Sequence, residues 1–166
     1  MACGRRALAL LNLAYERNRQ VSQAFSAKWL ETGAAARKMN EALAAEKYRT
    51  AQLQKRIFEQ IAESYGNQKD TVHFESGLES AEVRLLADAI AERSGGWAAV
   101  FSGTDDSGYS FAMVSRQGDL RELCRVMVGA LHGRGGGKPN CQQGRIPATR
   151  RQIEAFFCGD APAGNA

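Results

Sequence analysis

The sequence predicts an α+β fold: a small mixed sheet with flanking helices, preceded by a long helical hairpin or coiled-coil arm. Three observations carry this. Residues 33–65 contain no proline and no glycine after Gly33, and are rich in Ala, Glu, Lys, Arg and Gln. From Gly66 onward, short apolar runs of strand type alternate with capped helical segments. Six of the 17 glycines (129, 133, 135, 136, 137 and 144) fall in one short stretch near the C-terminus. The 166 residues suffice for one ordinary domain with an appended arm, and are too few for a full synthetase or a TIM barrel.

The arm comes first. Leu8, Leu11, Tyr15, Asn18, Ser22 and Phe25 step by three and four, a heptad-like stripe with a partly polar seam. Ser26 to Gly33 breaks the register, with Thr32 a suitable N-cap. Met39, Leu43, Thr50, Leu53, Ile57 and Ile61 then give the stripe of a second helix. Such a helix spans roughly 50 Å at about 1.5 Å per residue, more than the width of a small domain. It therefore needs a partner, either the first helix folded back or a second copy of the chain. This places the arm at residues 1–65, an α/β domain at 66–158 and a loose tail at 159–166.

Within the domain, Thr71 to Phe74 reads as a short strand. Ser80 opens a helix to about Arg93 with Val83, Leu86, Ala87 and Ile90 inward. Trp97 to Ser102 and Tyr109 to Val114 flank the turn sequence Asp105-Asp106-Ser107-Gly108, as adjacent antiparallel strands do. Asp119 to Glu122 fits a capping box that opens a helix to about Leu131, and Thr149 to Gln152 fits another. Between them, Gly144 to Ile146 adds a strand after the glycine-rich loop.

Charge is segregated. Residues 1–65 carry 11 Lys and Arg against 6 Asp and Glu, residues 66–115 carry 3 against 8, and the remainder 8 against 4. No acid stands between Glu122 and Glu154, and Arg134, Lys138, Arg145, Arg150 and Arg151 fall inside that gap. A basic stripe beside a glycine-rich loop suits an anionic partner, nucleic acid or phosphate first. Consecutive Gly135, Gly136 and Gly137 let main-chain N–H groups converge on an anion, and Arg134, Lys138 and Arg145 add charge. Gln142 and Gln143 suit a ribose or base edge, while Arg150 and Arg151 form an outer rim. The loop lacks the Gly-Lys-Ser/Thr ending of a Walker loop and the leading strand of a Rossmann fingerprint.

Other chemistry is poorly supported. Cysteines at 3, 124, 141 and 158 make no C-x-x-C pair, and only His73 and His132 could join them, so no metal site is expected in this chain. Cys124 lies on an apolar helical face and reads as core, which fits a reducing, cytoplasmic setting. Asp105 and Asp106 read as turn chemistry, and two histidines cannot furnish a Ser/His/Asp or Cys/His constellation. The apolar run after Arg5-Arg6 is too short and polar for a signal sequence, and no segment approaches a membrane span.

Gly133-Arg134-Gly135-Gly136-Gly137-Lys138-Pro139 through Gln142-Gln143-Gly144 resembles the glycine signature of the DHH-associated domain. That domain closes alanyl-tRNA synthetases and long AlaX-type alanyl-tRNA editing proteins, and accompanies DHH phosphoesterases. Cys3-Gly4-Arg5-Arg6-Ala7-Leu8 is similar to the entry of the helical arm in the alanyl branch. The resemblance spans nearly the whole chain. It implies a non-catalytic C-terminal module that binds tRNA, alanine tRNA foremost, and forms a homodimer through the arm. Editing in that family uses H-x-x-x-H and C-x-x-x-H zinc ligands of another domain, and neither motif occurs here, so zinc is expected only there. A purely structural dimerisation module and a nucleotide phosphoesterase-like remnant are the alternatives.

Overall fold

The computed structural model describes residues 2–28, 30–66 and 68–159. The expected tail, from residue 160, and the side chain of Cys3 lie outside the described residues. The chain divides into two compact units between Leu53 and Gln54.

The first unit is helical. Helix α1 (Ala2–Ala24) starts before the Leu8 at which its stripe begins. A turn follows in which Ser26 takes a left-handed conformation (φ 48°). Helix α2 (Thr32–Glu63) runs unbroken across the boundary into the second unit. The apolar stripes of α1 and α2 do not cover one another. Leu8, Leu11, Tyr15, Met39 and Leu43 are all exposed.

The second unit is a three-layer sandwich. Strands β1 (Thr71–Glu75), β2 (Trp97–Thr104), β3 (Gly108–Ser115), β4 (Arg134–Lys138) and β5 (Cys141–Ile146) form one sheet in the order β1-β2-β3-β5-β4. Helix α3 (Ser80–Ser94) connects β1 to its parallel neighbour β2, and every other pairing is antiparallel. Alternation along β2 divides the core. Ala98 and Val100 pack with Val83, Leu86 and Ile90 of α3 and with Phe58 and Ala62 of α2. Ala99 and Phe101 face helices α4 (Arg121–Ala130) and α5 (Arg150–Cys158) through Cys124, Met127 and Ile153. Cys124 is thus a core residue, buried among apolar side chains that push its thiol pKa up.

The helix starts depart from expectation in two places. At α3 the N-cap is Glu79, one residue before Ser80; its N–H donates to Glu82 Oε2 at 2.8 Å. At α4 the capping box does not form. Asp119 instead grips the Arg121 side chain (2.6 Å), and Leu120 N–H donates to the Pro139 carbonyl at 2.7 Å. The Thr149–Gln152 box at α5 is present in full.

Candidate nucleic-acid interface

The glycine-rich segment is not a loop. Gly135, Gly136 and Gly137 lie in β4, the edge strand, and β5 begins at Cys141 rather than Gly144. Only Pro139 and Asn140 connect the two strands. Part of the reason for the glycines is steric. Gly135 and Gly144 are cross-strand partners under the Phe111 ring, and a Cβ would approach that ring to 2.7 Å at Gly135 and 2.8 Å at Gly144. At Gly136, on the opposite face, a Cβ would meet nothing.

The pleat sorts the candidate residues. Arg134, Gly136 and Lys138 of β4 share a face with Cys141, Gln143 and Arg145 of β5. This is the α3 side of the sheet, but α3 packs mainly over β1, β2 and β3 and meets β5 near Cys141, so Arg134, Lys138, Gln143 and Arg145 are exposed. Helix α4 covers the other face. Gln142 points that way: it is buried, its Nε2 donates to the Lys138 carbonyl at 2.5 Å, and it is therefore withdrawn from the open face. The closing pair Lys138–Cys141 bonds inward, so Gly135 and Gly137 direct their main-chain groups to the free edge.

Arg134 and Arg145 are direct cross-strand partners, a like-charge pairing that is unfavourable unless an anion intervenes. Arg145 Nη2 donates to the Ser107 carbonyl at 2.7 Å, and Arg134 and Lys138 have no carboxylate partner among the described residues. The helix cations behave differently: Arg121, Arg125 and Arg150 each hold a carboxylate within 2.7 Å. Arg150 is absorbed further. Its guanidinium lies 4.6 Å over the Phe74 ring of β1, the edge strand opposite β4, and its N–H donates to Asp105. It does not join the hairpin cations, whereas Arg151 stands exposed on α5.

Beside the hairpin runs a groove of about 690 Å³. Ser80, Arg84, Leu85 and Asp88 of α3 line one wall; Lys138, Asn140, Cys141 and Gln143 line the other. The sequence reading missed Arg84 and Asp88, which only the tertiary placement of α3 brings alongside the hairpin. His132 closes α4 in a left-handed conformation (φ 52°), and His73 is half-buried in β1, its Nδ1 bonded to the Tyr65 hydroxyl at 2.8 Å. Burial lowers the His73 pKa. Among the described residues no group of three His, Cys, Asp or Glu side chains could hold a metal, and no helix is long and apolar enough to cross a membrane.

No curated protein matches the chain. Among solved structures, it is similar to the C-Ala domain of Aquifex aeolicus alanyl-tRNA synthetase (24% identity, TM-score 0.48), over 57% of this chain and 90% of that one. It is also similar to RecJ from Thermus thermophilus, solved with Mg2+ (15% identity, TM-score 0.54), over 84% of this chain but only 27% of that one. The second likeness shows a shared fold. The DHHA1 domain model matches residues 67–157, more than half of the sequence, and the chain therefore belongs to the DHHA1 domain family.

Proposed function

We propose that this chain is a non-catalytic nucleic-acid-binding and oligomerisation module of an alanyl-tRNA synthetase-like editing system, and that its partner is tRNA, alanine tRNA foremost. The observation that carries the reading is the uncovered basic face of the β4–β5 hairpin. Arg134 and Arg145 stand side by side and Lys138 closes the same face, with no carboxylate to neutralise them among the described residues. Phosphates running along this face relieve the Arg–Arg repulsion and displace counterions, which favours binding. The free-edge N–H groups of Gly135 and Gly137 add donors that carry no side chain in front of them. On this reading Arg151 reaches outer phosphates. Deacylation, with its zinc, belongs to a different domain, and the module works in the cytoplasm.

The test is a tRNA titration by fluorescence anisotropy across a salt series. Arg134→Ala combined with Lys138→Ala is expected to weaken binding and to flatten the log–log salt slope by about 0.7–0.9 per lost phosphate contact. Unchanged affinity and slope would sink the assignment.

A second reading rests on a separate observation, the exposed apolar stripe of the helical unit. Leu8, Leu11 and Tyr15 of α1 and Met39 and Leu43 of α2 recur at helical spacing yet find no cover among the described residues. A second copy of the same heptad-like surface is the occupant we propose, which makes the module a homodimer. The two readings are compatible.

A further inference from the structure

The groove between α3 and the hairpin contains a residue that a plain phosphate-binding channel has no use for. Ala81, Arg84, Leu85 and Asp88 recur at helical spacing, so they form one face of α3 beside the buried stripe of Val83, Leu86, Ala87 and Ile90. Polarity changes along that face. Arg84 and Lys138 bring positive charge with no ion-pair partner among the described residues. Farther along α3, the Asp88 carboxylate is held by Arg116, whose Nη2 lies 3.3 Å from Oδ1, leaving Oδ2 without a bonded partner among the described residues. Arg116 reaches Glu92 as well, at 3.8 Å. Leu85 is 60% exposed between the two charges, and Gln143 of β5, with an amide that both donates and accepts, lines the same groove.

Paired with Arg116, Asp88 adds no positive charge to attract a phosphate; what it offers the groove is an acceptor, the Oδ2 oxygen. Cation, apolar surface and acceptor in succession match a different ligand. We propose that this groove holds one unpaired nucleotide: its phosphate on Arg84 and Lys138, its base on Leu85, and the Watson–Crick edge of that base on Asp88 and Gln143. Guanine is the favoured base, because its Watson–Crick edge carries two donors, N1–H and the 2-amino group, for the open Oδ2 of Asp88 and the Gln143 amide oxygen. The inference rests on the nucleic-acid reading above and adds to it a base-reading subsite.

The test uses 5′-GMP, AMP, CMP and UMP with the full chain, followed by amide NMR. GMP is expected to move the Arg84, Leu85, Lys138 and Gln143 resonances and to bind about tenfold tighter than UMP, equivalent to about 1.4 kcal/mol. Asp88→Asn replaces an acceptor oxygen by a donor and is expected to abolish that preference while residual phosphate-driven binding persists; circular dichroism checks that it is folded. Equal shifts for all four nucleotides, or a GMP preference that survives Asp88→Asn, would overturn the base-reading role. Failure of any nucleotide to shift the groove while tRNA still binds through Arg134 and Lys138 would overturn the subsite and leave the broader reading standing. GMP binding without tRNA binding would do the reverse.

Discussion

The glycines of the hairpin serve two masters, and individual positions separate them. At Gly144 a Cβ would run into the Arg134 carbonyl and the Phe111 ring; at Gly136 it would stand in open space. Gly144→Ala is therefore expected to cost roughly 1–3 kcal/mol, the range for overpacking a tight site. Gly136→Ala should stay within about 0.5 kcal/mol of the parent, as for an exposed surface substitution. Urea denaturation of both variants checks this, and equal losses would contradict the placement of Phe111. The same residues mark where sequence reading stops. Alternation of side chains announces a strand, and three adjacent glycines have none to alternate, so the Arg134–Lys138 strand reads as loop. Phe111 and Gly144 are far apart in sequence, and their stacking depends on a register that composition cannot supply.

At the scale of elements, the β2–β3 turn joins both faces of the sheet. Its Ser107 carbonyl receives Arg145, and its Asp105 carboxylate accepts from the Tyr109 hydroxyl at 2.9 Å and from the Arg150 N–H at the start of α5 at 2.8 Å. The sequence shows Asp105 only as turn chemistry; its second role, holding a helix that follows 45 positions later, needs the fold. The Arg150 N–H and the Tyr109 hydroxyl hold the Asp105 carboxyl below its ordinary range. A depressed folded pKa stabilises the native state above the unfolded value of about 3.9, and that contribution disappears as pH falls through the folded value. Asp105→Asn should accordingly be less stable than the parent at neutral pH, with the gap narrowing below about pH 4. Denaturant midpoints at a series of pH values test the sign; a gap that widens in acid would refute the linkage. The capping boxes show the same limit of local reading. Thr149 and Gln152 pair as their spacing suggests, but Asp119 is captured by Arg121 while Leu120 is tied to the hairpin turn at Pro139, a long-range competitor that no local motif reveals. The sequence shows the order of α3, β2, β3, α4 and α5 and the basic character of residues 134–145; it does not show the β4 strand that makes those residues a hairpin, or the open face that selects Gln143 over Gln142 and recruits Arg84.

For the molecule as a whole, the decisive quantity is the cover of the helical unit. Residues 1–53 carry 9 cations against 4 anions, so two copies repel one another electrostatically, and screening by salt weakens that repulsion. Apolar burial acts the other way and is nearly indifferent to moderate salt. Leu8 and Leu11 are exposed by 63% and 67%, and Met39 and Leu43 by 53% each. Burying such side chains fully contributes about 1.5–3 kcal/mol apiece, so a few per copy outweigh screened surface repulsion. Sedimentation equilibrium should therefore show a dimer that tightens as salt is raised, the opposite of the salt dependence expected of the proposed tRNA complex. Leu11→Glu with Leu43→Glu should yield monomers and reduce helical content, because long helices without tertiary cover are marginal in water. A parent chain that stays monomeric at every salt concentration, with both helices intact, would eliminate the second copy as the cover and leave the stripe to a different protein.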